Sequence, residues 1–333
     1  MNWLVQWIEA TGVAPFWFLV LFVIGSLLMI WRLEAMSASG LEGTVLGTLV
    51  MPYCSGIGNL IFAFVVGAKG GPGKEVLTNA LVNNVTNMTL LLGLPAILWR
   101  MSVLPPEKAP KSKRKANDLQ VHKINRLSLL LTLTAALFFA GVMCALASDG
   151  TLTLTDGIVM IGLFLFWQAF HVYDVLKTNV RQNKTFGCAL IINLALLGVG
   201  AYGIYVSTNW LVDWLSNIHT GFVSAEHLGW LSGWLMVLPN ALLAFYYARR
   251  GNPEVVYTSQ VGDGHISIPL SVGIYTLYRP IQVPAFFYTG AAILMTAAVI
   301  HFVVVALFGN LPRLLGWVLL VAYLIFLFTG LGQ

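Results

Sequence analysis

Charge is what this sequence has least of. Only 9% of its 333 residues are Asp, Glu, Lys or Arg, where a soluble domain carries about 25%. That shortage excludes an ordinary water-soluble fold. Cysteine is also scarce. Cys54, Cys144 and Cys188 lie in apolar runs with no metal-ligand spacing. A zinc scaffold and a disulfide framework are therefore excluded, and the three read as small buried hydrophobes. No nucleophile–base pair or metal-ligand set stands out, so the chain does not read as an enzyme, and no cofactor is expected. The first fourteen residues lack a basic n-region and a small-residue cleavage site. With Trp3 and Trp7 they read as an interfacial segment, not a signal peptide.

Long apolar runs are what the chain has instead. Hydrophobic residues make up 58%, and the mean hydropathy is +0.81. A membrane-spanning helix needs about 20 mainly apolar residues. Ten runs qualify, near 15–33, 41–68, 75–99, 127–147, 156–176, 186–206, 228–248, 254–278, 284–308 and 312–331. The expected class is an all-α, multi-pass integral membrane protein, placed in a plasma (inner) membrane. The net charge of +5 is no nucleic-acid signal, because its distribution explains it. With both termini outside, fifteen of the eighteen Lys and Arg fall in inside loops, leaving Lys69, Lys74 and Arg279 outside. Basic residues in short loops favour the cytoplasmic side. The Pro- and Lys-rich loop 101–126 reads as a flexible linker near anionic lipid, without chemistry of its own. The bilayer and small inorganic cations are the expected partners; nothing points to a protein partner.

The chain repeats itself. "NLIFAFVVGAKGGP" (Asn59 to Pro72) aligns without a gap on "NALLAFYYARRGNP" (Asn240 to Pro253), 181 residues later. With one extra residue in the first copy, Thr78 then meets Thr258, Asn83 meets Asp263, Asn87 meets Ser267 and Gly93 meets Gly273. Five spans separate the copies, so they are inverted across the bilayer. That predicts two five-span halves, 1–180 and 181–333, with repeats at about 41–100 and 228–278. Inverted repeats whose helices are polar and interrupted by Gly or Pro are the architecture of secondary transporters, with the site near the midplane. The breaks are expected at "YCSGIGN", with Gly56 and Gly58, and at "LPN", with Pro239.

Polar residues are concentrated at the same places. Asn79, Asn83 and Asn87 recur every fourth residue and share a helix face, with Asn84 and Thr86 beside them. The matching stripe is Ser259, Asp263 and Ser267, with His265 nearby. Asp263 is the one carboxylate of thirteen placed deep in a span. Intramembrane ionisable residues are expensive and mark functional sites by default. "VGDGH" resembles an intramembrane aspartyl protease motif, but no second carboxyl faces it. His171 with Asp174 reads as a local hydrogen bond, and His301 as a packing residue with its ring satisfied.

With these elements in place, the sequence resembles the sodium/calcium exchanger (cation/Ca²⁺ antiporter) superfamily. Its alpha-repeats carry G-T-S-x-P-E, a Gly-containing turn eleven residues after the Glu, then G-N-x-x-G-S-N and a closing Gly. "CSGIGN" and "MVLPN" occupy the first element, Gly70 and Gly251 the turn, and "TNALVNNVTNMTLLLG" and "TSQVGDGHISIPLSVG" the second. The resemblance implies ten spans as two inverted five-helix repeats. It also implies a transport site of Asn59, Asn83, Asn87, Asn240, Asp263 and Ser267, with Ser55 in support. The family's two cation-binding glutamates fall on Asn59 and Asn240, its neighbouring Asn or Asp on Asn87 and Ser267, and two Na⁺-binding serines on Asn83 and Asp263. The Thr whose carbonyl contributes falls on Ser55 and on Met236.

The departures redirect the expectation. Ca²⁺ affinity follows ligand charge, and both glutamates are gone. Amides, hydroxyls and one carboxylate suit Na⁺, or Na⁺ exchanged for H⁺, with Asp263 and His265 as candidate proton carriers. A carboxyl removed from water holds its proton more readily. The leading expectation is an antiporter working by alternating access, two gating spans rocking past spans two, three, seven and eight. The alternatives are the same fold carrying Ca²⁺ or an uncharged solute, and a non-transporting scaffold or sensor.

Overall fold

The computed structural model describes residues 2–38, 51–99, 101–102, 113–182 and 188–332, with the side chains of 2–4, 33–34, 37–38, 51–55, 113–125 and 171–190 outside the description. Ser55, Cys54, Cys188, His171 and Asp174 are among those side chains, and 41–50, where the second span was expected to begin, lies outside altogether. After a short N-terminal helix, α1 (Asn2–Glu9), come α2 (Ala14–Ala38) and α3 (Met51–Ala68). Helix α4 runs Gly73–Val85, widens into a π-helical turn at Thr86–Leu90 and finishes as Leu91–Leu98. Then follow α5 (Lys113–Leu146), α6 (Leu154–Gln182), α7 (Cys188–Ser216) and α8 (Leu228–Arg249). Helix α9 repeats the form of α4, as Pro253–Ile266, a π-helical turn Ser267–Ser271 and Val272–Thr276. Helix α10 (Phe287–Val303, then a π-helical turn Val304–Phe308) and α11 (Arg313–Leu331) complete the chain.

Seven of these are long and apolar enough to cross a membrane: α2, α4, α5, α7, α8, α10 and α11. Shorter apolar stretches, Gly56–Ala68 and Leu154–Phe170, lie in α3 and α6. Helix α9 is too polar to register by hydropathy, because it carries the second stripe. Phe166, Ile191, Leu307, Leu314 and Phe328 stand exposed on the outer surface. In water so much exposed apolar area would drive association; here it faces lipid. One expectation is corrected. The stretch 113–126, read as flexible linker, is helical backbone belonging to α5. No proline or glycine follows Pro110 until Gly141, and its Lys, Arg, Ala and Gln are good helix formers.

The packing obeys a pseudo-two-fold relation. Four two-residue strands pair antiparallel: β1 (Met101–Ser102) with β4 (Asn310–Leu311), and β2 (Thr151–Leu152) with β3 (Ile281–Gln282). Strand β1 follows α4 and pairs with the turn between α10 and α11. Strand β3 follows α9 and pairs with the turn between α5 and α6. Glycines mirror this. A methyl at Gly93 would stand 2.9 Å from the Gly316 carbonyl oxygen, and one at Gly273 would stand 3.0 Å from that of Gly157. Helices α2 and α7 cross at Gly25 and Gly200, where a methyl on either would lie within 3 Å of the other's carbonyl. Small residues let membrane helices approach to backbone contact, where dispersion holds them together.

The described turns lie on two opposite faces of the bundle. Lys69 bridges to Asp213 at 2.7 Å, and Arg279 donates to the Gly70 carbonyl at 3.0 Å. On the opposite face Arg126 donates to the carbonyls of Val305 (2.9 Å) and Ala306. The two repeat turns end their helices alike. Gly70 and Gly251 have φ of +72° and +74°. The next amides, Gly71 and Asn252, bond back to Val66 and Tyr247 at 2.9 Å. This left-handed glycine cap satisfies the last carbonyls of a helix. Helices α3, α4, α8 and α9 meet in the centre, each repeat packing on the other.

Candidate functional site

The centre of that four-helix crossing is polar. Asn59, Asn83, Asn87, Asn240, Asp263 and Ser267 all have 0% exposure. They come from α3, α4, α8 and α9, so the stripes read from the sequence converge from both repeats. Asn83 and Asn87 lie one turn apart on α4, which lets both amides reach one carboxylate oxygen across the crossing. Each donates its Nδ2 to Asp263 Oδ2, Asn87 at 3.0 Å. Bonds to an ionised acceptor are about twice as strong as neutral ones, which fits a carboxylate held away from water. Ser267 donates its Oγ to the Asp263 carbonyl at 2.9 Å and accepts Asn84 Nδ2 at 2.7 Å.

Helix α3 closes the site through glycine. A methyl at Gly56 would stand 3.3 Å from Asp263 Oδ1 and 3.0 Å from Ile266 Cβ. Asn59 follows one turn later on the same face. On the other side, Gln260 donates Nε2 to the Asn240 carbonyl at 3.2 Å and to Ser259 Oγ at 2.9 Å. Asn79, the third member of the first stripe, instead joins α4 to α8 by donating to Ser232 Oγ at 3.0 Å.

Several amide atoms here find no hydrogen-bond partner among the described residues. Both side-chain polar atoms of Asn59 and of Asn240 are buried without a hydrogen bond, as are Asn83 Oδ1, Asn87 Oδ1 and Gln260 Oε1. An unpaired buried polar group costs about 1–3 kcal/mol, and natural proteins leave few of them. Five such amide oxygens share the buried crossing of the two repeats with the Asp263 carboxylate, an oxygen-rich environment with one formal charge. Amide carbonyls and carboxylates are the donors that hard cations take.

Three expectations change. First, α3 and α8 were expected to unwind at Gly56–Gly58 and at Pro239, but both run unbroken. Gly56 and Gly58 are contact points instead, facing α9 and Met236 of α8. The irregular backbone lies in the π-helical turns, which carry Asn87 and Ser267. Such turns occur often at functional sites. Second, His265 was paired with Asp263 as a proton carrier. Two residues along a helix point to opposite sides, and its Nε2 donates to the Thr132 carbonyl at 2.8 Å. Its ring packs on Trp167 and Phe139, away from the carboxylate cluster. Third, Asn84 and Gln260 belong to the site although neither was assigned to it. For Asn84 a signal existed. Its counterpart in the second copy is Gly264, where a methyl would stand 2.7 Å from Asn84 Oδ1, a large residue matched to an absent one. Gln260 has no such signal, since the first copy offers Ala80. His301 is as expected: Nε2 donates to the Met88 carbonyl at 2.8 Å and Nδ1 lies 3.3 Å from Tyr257 Oη.

The same fold occurs among solved structures. The sodium-calcium exchanger NCX_Mj, soaked with 2.5 mM Na⁺ and 10 mM Sr²⁺, aligns with a TM-score of 0.65 at 18% identity, covering 95% of this chain and 97% of that one. Soaked with 2.5 mM Na⁺ and 0.1 mM Ca²⁺, it aligns with a TM-score of 0.65 at 17% identity, covering 96% and 99%. No curated protein sequence matches the chain. The sequence profile described as sodium/calcium exchanger protein matches residues 13–173 and 192–331, one stretch for each half of the pseudo-symmetric fold. With the profile spanning nearly the whole chain and the two repeats meeting at its polar centre, the chain belongs to the sodium/calcium exchanger protein family.

Proposed function

We propose that this protein is a secondary-active cation antiporter that carries Na⁺, exchanged for H⁺ or another monovalent cation. The observation that carries the reading is the fully buried Asp263 carboxylate, bonded by Asn83 and Asn87, at a crossing that also holds five amide oxygens without a partner among the described residues. Asn59 and Asn240 stand where the family resemblance expects glutamates. One formal negative charge balances a monovalent ion, whereas Ca²⁺ sites are tuned by several charged ligands. Asp263, Asn59, Asn83, Asn87, Asn240 and Ser267 hold the ion, with Ser55 in support, and Asp263 alone alternates between ion and proton. His265 has no part in this step.

The burial of all six residues supports reading this conformation as the occluded state of an alternating-access cycle. In that cycle α2 and α7 move as one unit, locked at Gly25 and Gly200, past the core of α3, α4, α8 and α9. Both termini lie outside, and the halves 1–180 and 181–333 exchange roles between the outward- and inward-facing forms.

The test uses purified protein in liposomes, with Na⁺, K⁺, Ca²⁺ and H⁺ fluxes measured separately. Na⁺-dependent H⁺ movement that Asp263→Asn abolishes and Asn59→Ala weakens is the expected result. Flux unchanged in both variants overturns the site. Robust Ca²⁺ flux with no Na⁺/H⁺ exchange overturns the choice of ion. No flux of any ion favours the scaffold.

A further inference from the structure

A π-helical turn replaces the usual bonds by wider i→i+5 ones and occurs often at functional sites. In α4 that turn, Thr86–Leu90, carries Asn87, a donor to Asp263. The residue after Asn87 is Met88. Its carbonyl accepts Nε2–H of His301, on α10, at 2.8 Å. A carbonyl only accepts, so Nε2 bears the proton. In the neutral ring Nδ1 is then an acceptor, and Tyr257 Oη, 3.3 Å away, is its donor. Tyr257 lies on α9, six residues before Asp263, and meets the imidazole edge-on with ring centroids 5.5 Å apart. Both rings have 0% exposure.

We infer that His301 is a positioning residue for the ion site. Through one neutral tautomer it ties the Asn87 turn of α4 to the helix that carries Asp263. This rests on the proposed cation-antiport reading for its functional consequence, and on the hydrogen-bond geometry alone for its structural one. No cation touches His301. It sets the spacing between two groups that do, and displacement of a ligand by as little as 1 Å changes function strongly. The second repeat is tied differently. There His265 of α9 donates to the Thr132 carbonyl of α5, and Pro269 sits inside the π-helical turn Ser267–Ser271. His301 acts on the first turn, and the His265 bond acts on the second.

The experiment compares His301→Gln, His301→Leu and Tyr257→Phe with the wild type, using two readouts. Hydrogen exchange at the Thr86–Gly93 amides reports the turn without needing transport. The Na⁺ concentration giving half-maximal flux reports the site. His301→Leu keeps an apolar side chain but removes the donor. Its turn amides exchange about tenfold faster and its half-saturating Na⁺ rises about tenfold, the scale of one lost buried hydrogen bond. His301→Gln offers an amide N–H to the Met88 carbonyl and restores both readouts to within a few-fold. Tyr257→Phe produces a smaller rise in each, because the Met88 bond survives. Equal behaviour of the Leu and Gln variants in both readouts overturns the inference, as does exchange unchanged from wild type in His301→Leu. A wild type that moves no cation overturns the antiport reading, and the exchange measurement then decides the positioning role on its own.

Discussion

Replacing Asp263 by asparagine tests whether its charge serves the fold or the cargo. In the protein its Oδ2 accepts Asn83 and Asn87, and no solvent reaches it. An asparagine oxygen in the Oδ2 position still accepts both donors, while its NH₂ takes the place of Oδ1, leaving at most one mismatch of about 1–3 kcal/mol. Against this, the variant neither confines an ionised carboxylate, whose desolvation costs several kcal/mol, nor has to hold a proton in place of the ion. The second effect is larger, so Asp263→Asn without sodium melts at or above the wild-type temperature. With sodium the order reverses. Ligand binding stabilises the folded state by RT ln(1 + [L]/Kd), about 2.7 kcal/mol when the ion is at 100 times its Kd. The assay is thermal unfolding in detergent against Na⁺ concentration, with choline holding ionic strength constant. Wild-type melting temperature climbs with Na⁺ and that of Asp263→Asn stays flat. Equal slopes refute the assignment of Asp263 as the ion's charged ligand. A variant that melts much lower without sodium refutes the claim that the charge burdens the fold.

Other expectations follow from close contacts. Gly264→Ala sets a methyl 2.7 Å from Asn84 Oδ1, displaces Asn84 from Ser267 and destabilises the protein by about 1–3 kcal/mol; a smaller loss in Gly264→Ala combined with Asn84→Ala checks the cause. Gly157→Ala meets the Thr276 side chain and lies 3.0 Å from the Gly273 carbonyl, so it parts α6 from α9 and lowers melting temperature by a similar amount, whereas Gly162→Ala, with nothing within 4 Å, leaves melting unchanged. Lys69→Gln removes the bridge to Asp213 at the protein surface; the loss is under about 1 kcal/mol and vanishes at high salt, as denaturation at two ionic strengths will show. Cysteines introduced one at a time at Lys69 and Arg313 react with a membrane-impermeant reagent from opposite sides, Lys69 from outside, if the orientation read from basic loops holds.

Patterns at fixed spacing were legible before any coordinates. Asn79, Asn83 and Asn87 share a face because α-helical geometry puts every fourth residue there, and their alignment with Ser259, Asp263 and Ser267 follows from the repeat alone. Asn59 and Asn240 were found the same way, as were the two glycine turns. What failed concerned how backbones meet. Gly56, Gly58 and Pro239 are helix breakers by propensity, yet α3 and α8 stay helical, because the glycines serve as contact surfaces and a single proline forfeits only one hydrogen bond within a packed bundle. The irregularity fell instead at Thr86–Leu90 and Ser267–Ser271, where nothing in residue preference marks it except Pro269. His265 lies near Asp263 in sequence and on the other side of its helix in space.

The amino-acid order by itself determined that this chain lives in a membrane, that it is a doubled and inverted unit, and that its polar residues are amides gathered around one carboxylate. Those properties rest on composition, periodicity and self-similarity, which are written along the chain. Only the tertiary structure decided which amides touch the carboxylate, that Asn84 bonds Ser267 and Gln260 the Asn240 carbonyl beside them, and that His301 reaches across from another helix to the Asn87 turn. Such pairings depend on how closely two backbones approach and on which way a buried ring turns, and neither is encoded in the spacing of letters.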